Sequence, residues 1–152
     1  MYSLTEKSTI KYLCDKYGFR LKKALGQNFI NHDGVLYDIA EATDSEGIIE
    51  IGPGIGALTA VLAKRAKKVV SVEIDDTLMP VLKETLAGFD NIEIINDDIM
   101  KLDINELIRD KFSGMTVSVA ANLPYYITTP IIMKLLEEKA NLCDIVVMMQ
   151  KE

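Results

Sequence analysis

Residues 48–56 read Ile48-Ile49-Glu50-Ile51-Gly52-Pro53-Gly54-Ile55-Gly56, an apolar run broken by one acid and closed by a glycine turn. The run has the length of a buried strand, and Ala57–Arg65 behind it has helical spacing. A strand, a tight glycine turn and a helix in that order form the first unit of a doubly wound α/β fold, the place where a nucleotide-like ligand sits. Gly52 and Gly54 let backbone approach a ligand without a Cβ in the way, and the helix begun near Gly56 points its N–H groups inward. Taken alone the stretch is permissive. Gly52, Gly54 and Ala57 also satisfy the dinucleotide pattern G-x-G-x-x-G/A, so a nicotinamide dehydrogenase is a rival reading.

The same alternation continues outward. Strands are expected at Ile48–Ile51, Val69–Glu73, Ile92–Ile95, Val117–Ala120 and Ile145–Met149. Helices are expected near Ala57–Arg65, Thr77–Leu86, Ile104–Asp110 and Pro130–Glu138, with Pro130 in a first turn where its missing N–H costs nothing. Such βα repetition predicts a mostly parallel sheet with helices on both faces. Ahead of it, Thr5–Tyr17 and Gly34–Ala42 have helical patterns around an irregular glycine-containing stretch. We divide the chain into an N-terminal helical and basic arm, residues 1–45, and a sheet portion, residues 46–152.

The chain has 152 residues, of which 49% are hydrophobic, enough for one globular core. No apolar run is long enough for a bilayer and the N-terminus lacks a signal-like stretch, so a soluble cytoplasmic protein with no membrane partner is expected. Cys14 and Cys143 have no metal-type spacing and His32 is the single histidine, which argues against a metal site and against histidine-dependent hydrolases. The net charge of −6 is unevenly spread: residues 1–28 carry six basic and two acidic side chains. That arm is a candidate basic surface for phosphate, although a solvated helix face explains any one lysine equally well.

Acids follow three successive strands. Glu50 either neighbours the amino group of a cationic ligand or orients the glycine loop, and it would sit badly beside a pyrophosphate. Glu73 ends the second strand where an acid receives two ribose hydroxyls. Asp98, in Asn96-Asp97-Asp98-Ile99, can accept from an adenine amino group, with loop capping by Asp97 or Asp98 as the bland alternative.

Asn122-Leu123-Pro124-Tyr125 directly follows the fourth strand. The exocyclic amine of adenine is a poor nucleophile because its lone pair is delocalised into the ring. An Asn side-chain oxygen and a backbone carbonyl at a proline-shaped turn can accept its two hydrogens and aim the lone pair at a methyl donor. Orientation of this kind is worth up to about 7–11 kcal/mol. Tyr125 offers a stacking face worth roughly 1–3 kcal/mol per base. No strong base is needed, since the alkylated amine turns acidic. Tyr126, Thr128 and Thr129 are weaker candidates, and the two threonines are expected to cap the helix entered at Pro130.

These residues resemble the ribosomal RNA adenine dimethyltransferases. The resemblance runs through Tyr17-Gly-Phe, Lys22 to Phe29, Glu50 to Thr59, Val72-Glu-Ile-Asp75, Asp97-Asp98, Asn122 to Pro130 and Gln150-Lys-Glu152, and so spans essentially the whole chain. It implies a Rossmann-like, S-adenosylmethionine-binding domain followed by a small helical domain. It implies transfer of methyl groups to N6 of two adjacent adenosines near the 3′ end of the 16S rRNA, in immature 30S subunits during ribosome biogenesis. It further implies that Gln27, Asn28 and Ile30 close over the donor, that Gly52, Glu73 and Asp98 hold it, and that Asn122 faces donor and target amine together. Gly54, Ile74 and Ile99 complete the expected donor set. Ala60 departs from the acid common at that place in the family.

Leu25-Gly-Gln-Asn28 and Asn122-Leu-Pro-Tyr-Tyr126 look closer to the housekeeping small-subunit form than to the 23S rRNA methylase of macrolide-resistance type, which is the alternative. A binding protein on the same scaffold is the reading from another class. The chain stops just after an apolar strand, so the expectation is an N-terminal fragment lacking the last strands and the RNA-binding helical domain, with weak or no activity of its own. Self-association through the exposed terminal strand would follow.

Overall fold

The computed structural model describes residues 3–19, 33–123 and 125–148. Within these the chain runs α1 (Lys7–Tyr17), α2 (Asp33–Ala42), β1 (Gly47–Ile51), α3 (Ala57–Arg65), β2 (Lys68–Glu73), α4 (Met79–Thr85), β3 (Ile92–Asn96), α5 (Ile104–Lys111), β4 (Val117–Asn122), α6 (Tyr125–Glu137) and β5 (Ile145–Met148). The five strands form one sheet in the order β3-β2-β1-β4-β5, and every pairing is parallel. This is the α/β architecture expected from the βα alternation.

Register divides the sheet into two chemically different faces. Ile49 pairs with Val70 and Val119, and Ile51 with Val72 and Ala121, so these side chains share a face. They pack with Ile104, Leu107, Ile108 and Phe112 around α5 and with Ile131 and Leu135 of α6. The opposite face carries Ile48, Val69 and Ala120 against Leu36 and Ile39 of α2 and Leu58 and Leu62 of α3. Each fully buried Leu or Ile contributes roughly 1.5–3 kcal/mol relative to an exposed one. A third cluster joins Ile10 and Leu13 of α1 to Val81, Leu82 and Leu86 at α4, so α1 belongs to the sheet's packing. No helix among the described residues is long and apolar enough to cross a membrane.

Two expectations about helices are corrected. Pro130 lies inside α6, five residues past its start, and forgoes one intrahelical hydrogen bond there. Thr128 and Thr129 therefore sit within the helix and do not cap it. The Thr128 hydroxyl donates instead to the Leu123 carbonyl at 3.2 Å, which fastens the turn to the helix it feeds. The segment expected as one helix over Thr77–Leu86 is a 3-10 turn at Asp76–Leu78 followed by α4. Asp75 caps the turn, its carboxylate accepting from the Thr77 N–H at 3.0 Å, and Pro80 is accommodated at the start of α4. On α5 the expected boundary is close, and Asp103 caps it by accepting from the Glu106 N–H at 3.0 Å.

Of the N-terminal basic side chains, Lys7 and Lys11 are exposed, while Lys16 pairs with Glu84 of α4. Arg20, Lys22 and Lys23 lie outside the described residues. Gly47 opens β1 directly against the buried Phe112 ring, and an added Cβ would overlap that ring. Gly47→Ala is expected to destabilise the fold by about 1–3 kcal/mol through overpacking, read as a lower urea midpoint with an unchanged slope.

Candidate active site

The chain grows from β1 through β2 to β3 on one side, then returns to place β4 on the other. The crevice between the carboxyl ends of β1 and β4 is therefore the point where strand order reverses, which is where open α/β sheets bind ligands. Gly52 leaves β1 and Leu123 leaves β4 at this crevice. Gly52, Gly54 and Gly56 have φ of 72°, 60° and 95°, the left-handed region that glycine enters without penalty. At Gly52 the requirement is doubled, since a Cβ there would overlap the Leu123 side chain.

The glycine turn is braced from several elements. The Gly52 N–H donates to the Val72 carbonyl at 3.0 Å and the Gly56 N–H to the Pro53 carbonyl at 2.9 Å. From α4 the Thr85 hydroxyl donates to the Ile55 carbonyl at 2.8 Å. Glu73, at the end of β2, accepts from the Gly54 N–H at 3.1 Å through Oε1 and from the Asp75 N–H at 3.1 Å through Oε2. Each carboxylate oxygen keeps a second lone pair for a ligand hydroxyl. Burial raises the Glu73 carboxyl above its ordinary value, with the charge of Asp75 adding to the rise and the backbone N–H groups of Asp75, Gly54 and Ile74 opposing it.

Glu50 is deeper. It is 1% exposed on β1, between Thr59 of α3 and Ser71 of β2, both 0% exposed. The Thr59 hydroxyl donates to its Oε1 at 2.5 Å and the Ser71 hydroxyl to the same oxygen at 2.8 Å. Burial pushes the Glu50 carboxyl up to about 7, the two hydroxyls opposing the rise and the charge of Glu73 adding to it. Through these contacts Glu50 ties the helix after the glycine loop to the strands beneath.

Asp98 follows β3, and its Oδ1 accepts from the Met100 N–H at 2.9 Å, capping a 3-10 turn at Ile99–Lys101. The capping geometry is thus present, and it leaves Oδ2 for a ligand, since among the described residues only Oδ1 is engaged. Ile74, 69% exposed, presents an apolar side chain beside Glu73. The Ile99 side chain is buried in the core with those of α5, which leaves its main chain to meet a ligand.

Asn122 ends β4 on the same face as Glu50, because Ala120 pairs with Glu50 and side chains alternate. Leu123 packs on the apolar core and against Gly52, so its contacts are those of a spacer between the two loops. Tyr125 opens α6, and its side chain lies outside the described residues, as do Pro124, Gln27, Asn28 and Ile30. The structure thus brings Gly52, Gly54, Glu50, Glu73, Asp98 and Asn122 to one edge of the sheet. Buried and half-buried carboxyls beside an exposed apolar side chain suit a ligand combining positive charge, ribose hydroxyls and a flat base, as S-adenosylmethionine does. They suit a pyrophosphate poorly.

The sequence model of the ribosomal RNA adenine dimethylase family matches residues 18–152. The chain belongs to this family. Ribosomal RNA small subunit methyltransferase A of Alkaliphilus metalliredigens is 50% identical over 155 residues, covering 100% of this chain and 54% of the relative. That of Bacillus pumilus is 56% identical over 146 residues, covering 93% and 50%. Among solved structures, 23S rRNA methyltransferase ErmE superposes with a TM-score of 0.66 at 30% identity, covering 81% of this chain and 48% of that one. A dimethyladenosine transferase from Plasmodium falciparum gives a TM-score of 0.61 at 30% identity, with 79% and 42% covered. The chain spans about half the length of the curated relatives it matches.

Sequence reasoning missed Thr59, Ser71, Thr85 and Asn96. The first two hold Glu50, Thr85 holds the glycine turn, and the Asn96 side chain donates to the Glu73 carbonyl at 2.9 Å. Only Thr59 had a usable signal, in the first turn of α3 behind a buried acid. A carboxyl raised in the folded state contributes stability that is present below its unfolded value and lost as pH rises through the folded value. For Glu50 that window runs from about 4.5 to about 7. Glu50→Gln is expected to flatten the fall in stability across this window, by up to about 3 kcal/mol, measured by denaturant melts of the ligand-free protein at stepped pH. An unchanged pH profile would show that Glu50 does not titrate there.

Proposed function

We propose that the chain is the S-adenosylmethionine-binding part of an N6-adenine dimethyltransferase acting on 16S rRNA in immature 30S subunits, in the cytoplasm. The observation that carries this reading is the meeting of two loops at one crevice: Leu123, within Asn122-Leu-Pro-Tyr125, fills the space a side chain on Gly52 would need. A donor loop and an acceptor loop in contact are what transfer between two bound molecules requires.

The bound donor supplies a methyl group made electrophilic by the adjacent sulfonium. Glu73 receives ribose hydroxyls, Asp98 accepts from the adenine amino group through Oδ2, and Ile74 lies along the base. Asn122 accepts a hydrogen of the target amine and turns its lone pair toward the donor. A backbone carbonyl of the same tetrapeptide takes the second hydrogen, and Tyr125 gives a stacking face. Gln27, Asn28 and Ile30 cover the donor from the N-terminal side. Support for the small-subunit target over the large-subunit alternative comes from the relatives: those named for the small subunit are 50–56% identical, whereas ErmE is 30% identical.

Titration calorimetry of the chain with S-adenosylmethionine and with NAD tests the donor class. Heat with the first alone is expected, and heat with NAD alone overturns the reading. For the acceptor, Asn122→Ala in the full-length enzyme is expected to lower methyl transfer to immature small subunits by at least roughly 100-fold, as for loss of a well-placed polar contact in the transition state. Circular dichroism should stay unchanged. Transfer at the parental rate would remove Asn122 from the chemistry.

A further inference from the structure

Glu50 and Glu73 stand on one face of neighbouring parallel strands. Glu50 pairs with Ser71, which places Glu73 one pleat farther toward the ligand crevice. Both are buried, and among the described residues no lysine, arginine or histidine pairs with either. The elements packed around Glu50 present Thr59 from α3, Ser71 and Glu73 from β2, and Ala120 from β4. Glu73 is the one titratable group in that set. Two buried acids with no countercharge among the described residues disfavour full ionisation, and a cation brought close restores it. The hydroxyls of Thr59 and Ser71 lower the cost of the anion without cancelling it.

We propose that Glu50 is a charge-selecting residue of the donor site, keeping a proton while no cation is bound and passing it to solvent when a sulfonium ligand occupies the glycine loop. This rests on the donor-site reading above. Only a proton is transferred: the O–H bond of the Glu50 carboxyl breaks and a bond to that proton forms on water or buffer. Burial that holds Glu50 up to about 7 puts this exchange in the ordinary working range. The consequence is directional. An ionised Glu50 favours the cationic donor over the demethylated product, which has one positive charge fewer, and so assists exchange of product for fresh donor.

The test is calorimetric titration of the chain with S-adenosylmethionine and, separately, S-adenosylhomocysteine. It is run near about pH 6.5 in two buffers of different ionisation enthalpy, where half or more of Glu50 holds its proton. For the cationic donor, heats that differ between buffers in the sense of proton release are expected, with an affinity rising up to about tenfold per pH unit below the Glu50 titration. For the product, release should be smaller and the affinity nearly flat. Glu50→Gln should remove the buffer dependence, which the ligand's own amino group would not lose. Thr59→Val, deleting one donor to the anion, should move the proton release to higher pH and provides the test if Glu50→Gln does not fold. Equal heats in both buffers, or release undiminished in Glu50→Gln, would overturn the proposal while leaving donor binding intact. Absence of heat with both ligands would instead overturn the donor-site reading, and this proposal with it.

Discussion

Strand β1 is hydrogen-bonded to a parallel neighbour on each side, so whatever follows Ile51 must leave the sheet between two other strand ends. The space available there is set by Leu123, which occupies the position of any side chain on Gly52. Close approach and left-handed backbone coincide at that residue, and the turn that results is pinned by Val72, Glu73 and Thr85. From this one contact the remaining placement follows. The glycine turn cannot move away from Leu123 without opening a gap beside the core that Leu123 packs on. Thr128, bonded to the Leu123 carbonyl, adds a second fastening to that end.

The two faces of the sheet divide the labour between stability and chemistry. One is apolar along β1, β2 and β4 and closed by α5 and α6. The other becomes polar toward the carboxyl ends, where Glu50, Ser71, Glu73 and Asn122 succeed one another. Keeping a carboxyl such as Glu50 buried costs free energy, which the surrounding apolar packing offsets and the two hydroxyls reduce. The cost is borne where a positively charged ligand would recover it, at the strand ends and not in the middle of the sheet.

Much of this was legible in the sequence because it is local. Apolar runs mark the strands to within a residue or two: Ile48–Ile51 is expected where Gly47–Ile51 is found, and Val69–Glu73 where Lys68–Glu73 is found. The glycine spacing and the acids at strand ends point to one candidate site without knowledge of pairing. What could not be read was non-local. Parallel register is created by crossovers of many residues, so nothing near Glu50 announces that Ser71 lies beside it. Pro130 misled for a related reason. Its intrinsic preference places it in a first turn, but α6 begins at Tyr125 and accepts the lost hydrogen bond, which a helix packed through Ile131 and Leu135 can tolerate.

Leu123 shows why a motif and its chemistry should be kept apart. Read along the chain, it belongs to a tetrapeptide whose polar and aromatic members suit adenine, and all four residues take on a catalytic look. In three dimensions its neighbours are Gly52 and core side chains. An aliphatic group can neither accept a hydrogen nor stack as a ring does, yet its size sets the distance between a loop that would hold a methyl donor and one that would hold its acceptor. Transfer along a line depends steeply on that distance. The leucine therefore matters through volume, and a smaller side chain would loosen the spacing even with Asn122 untouched.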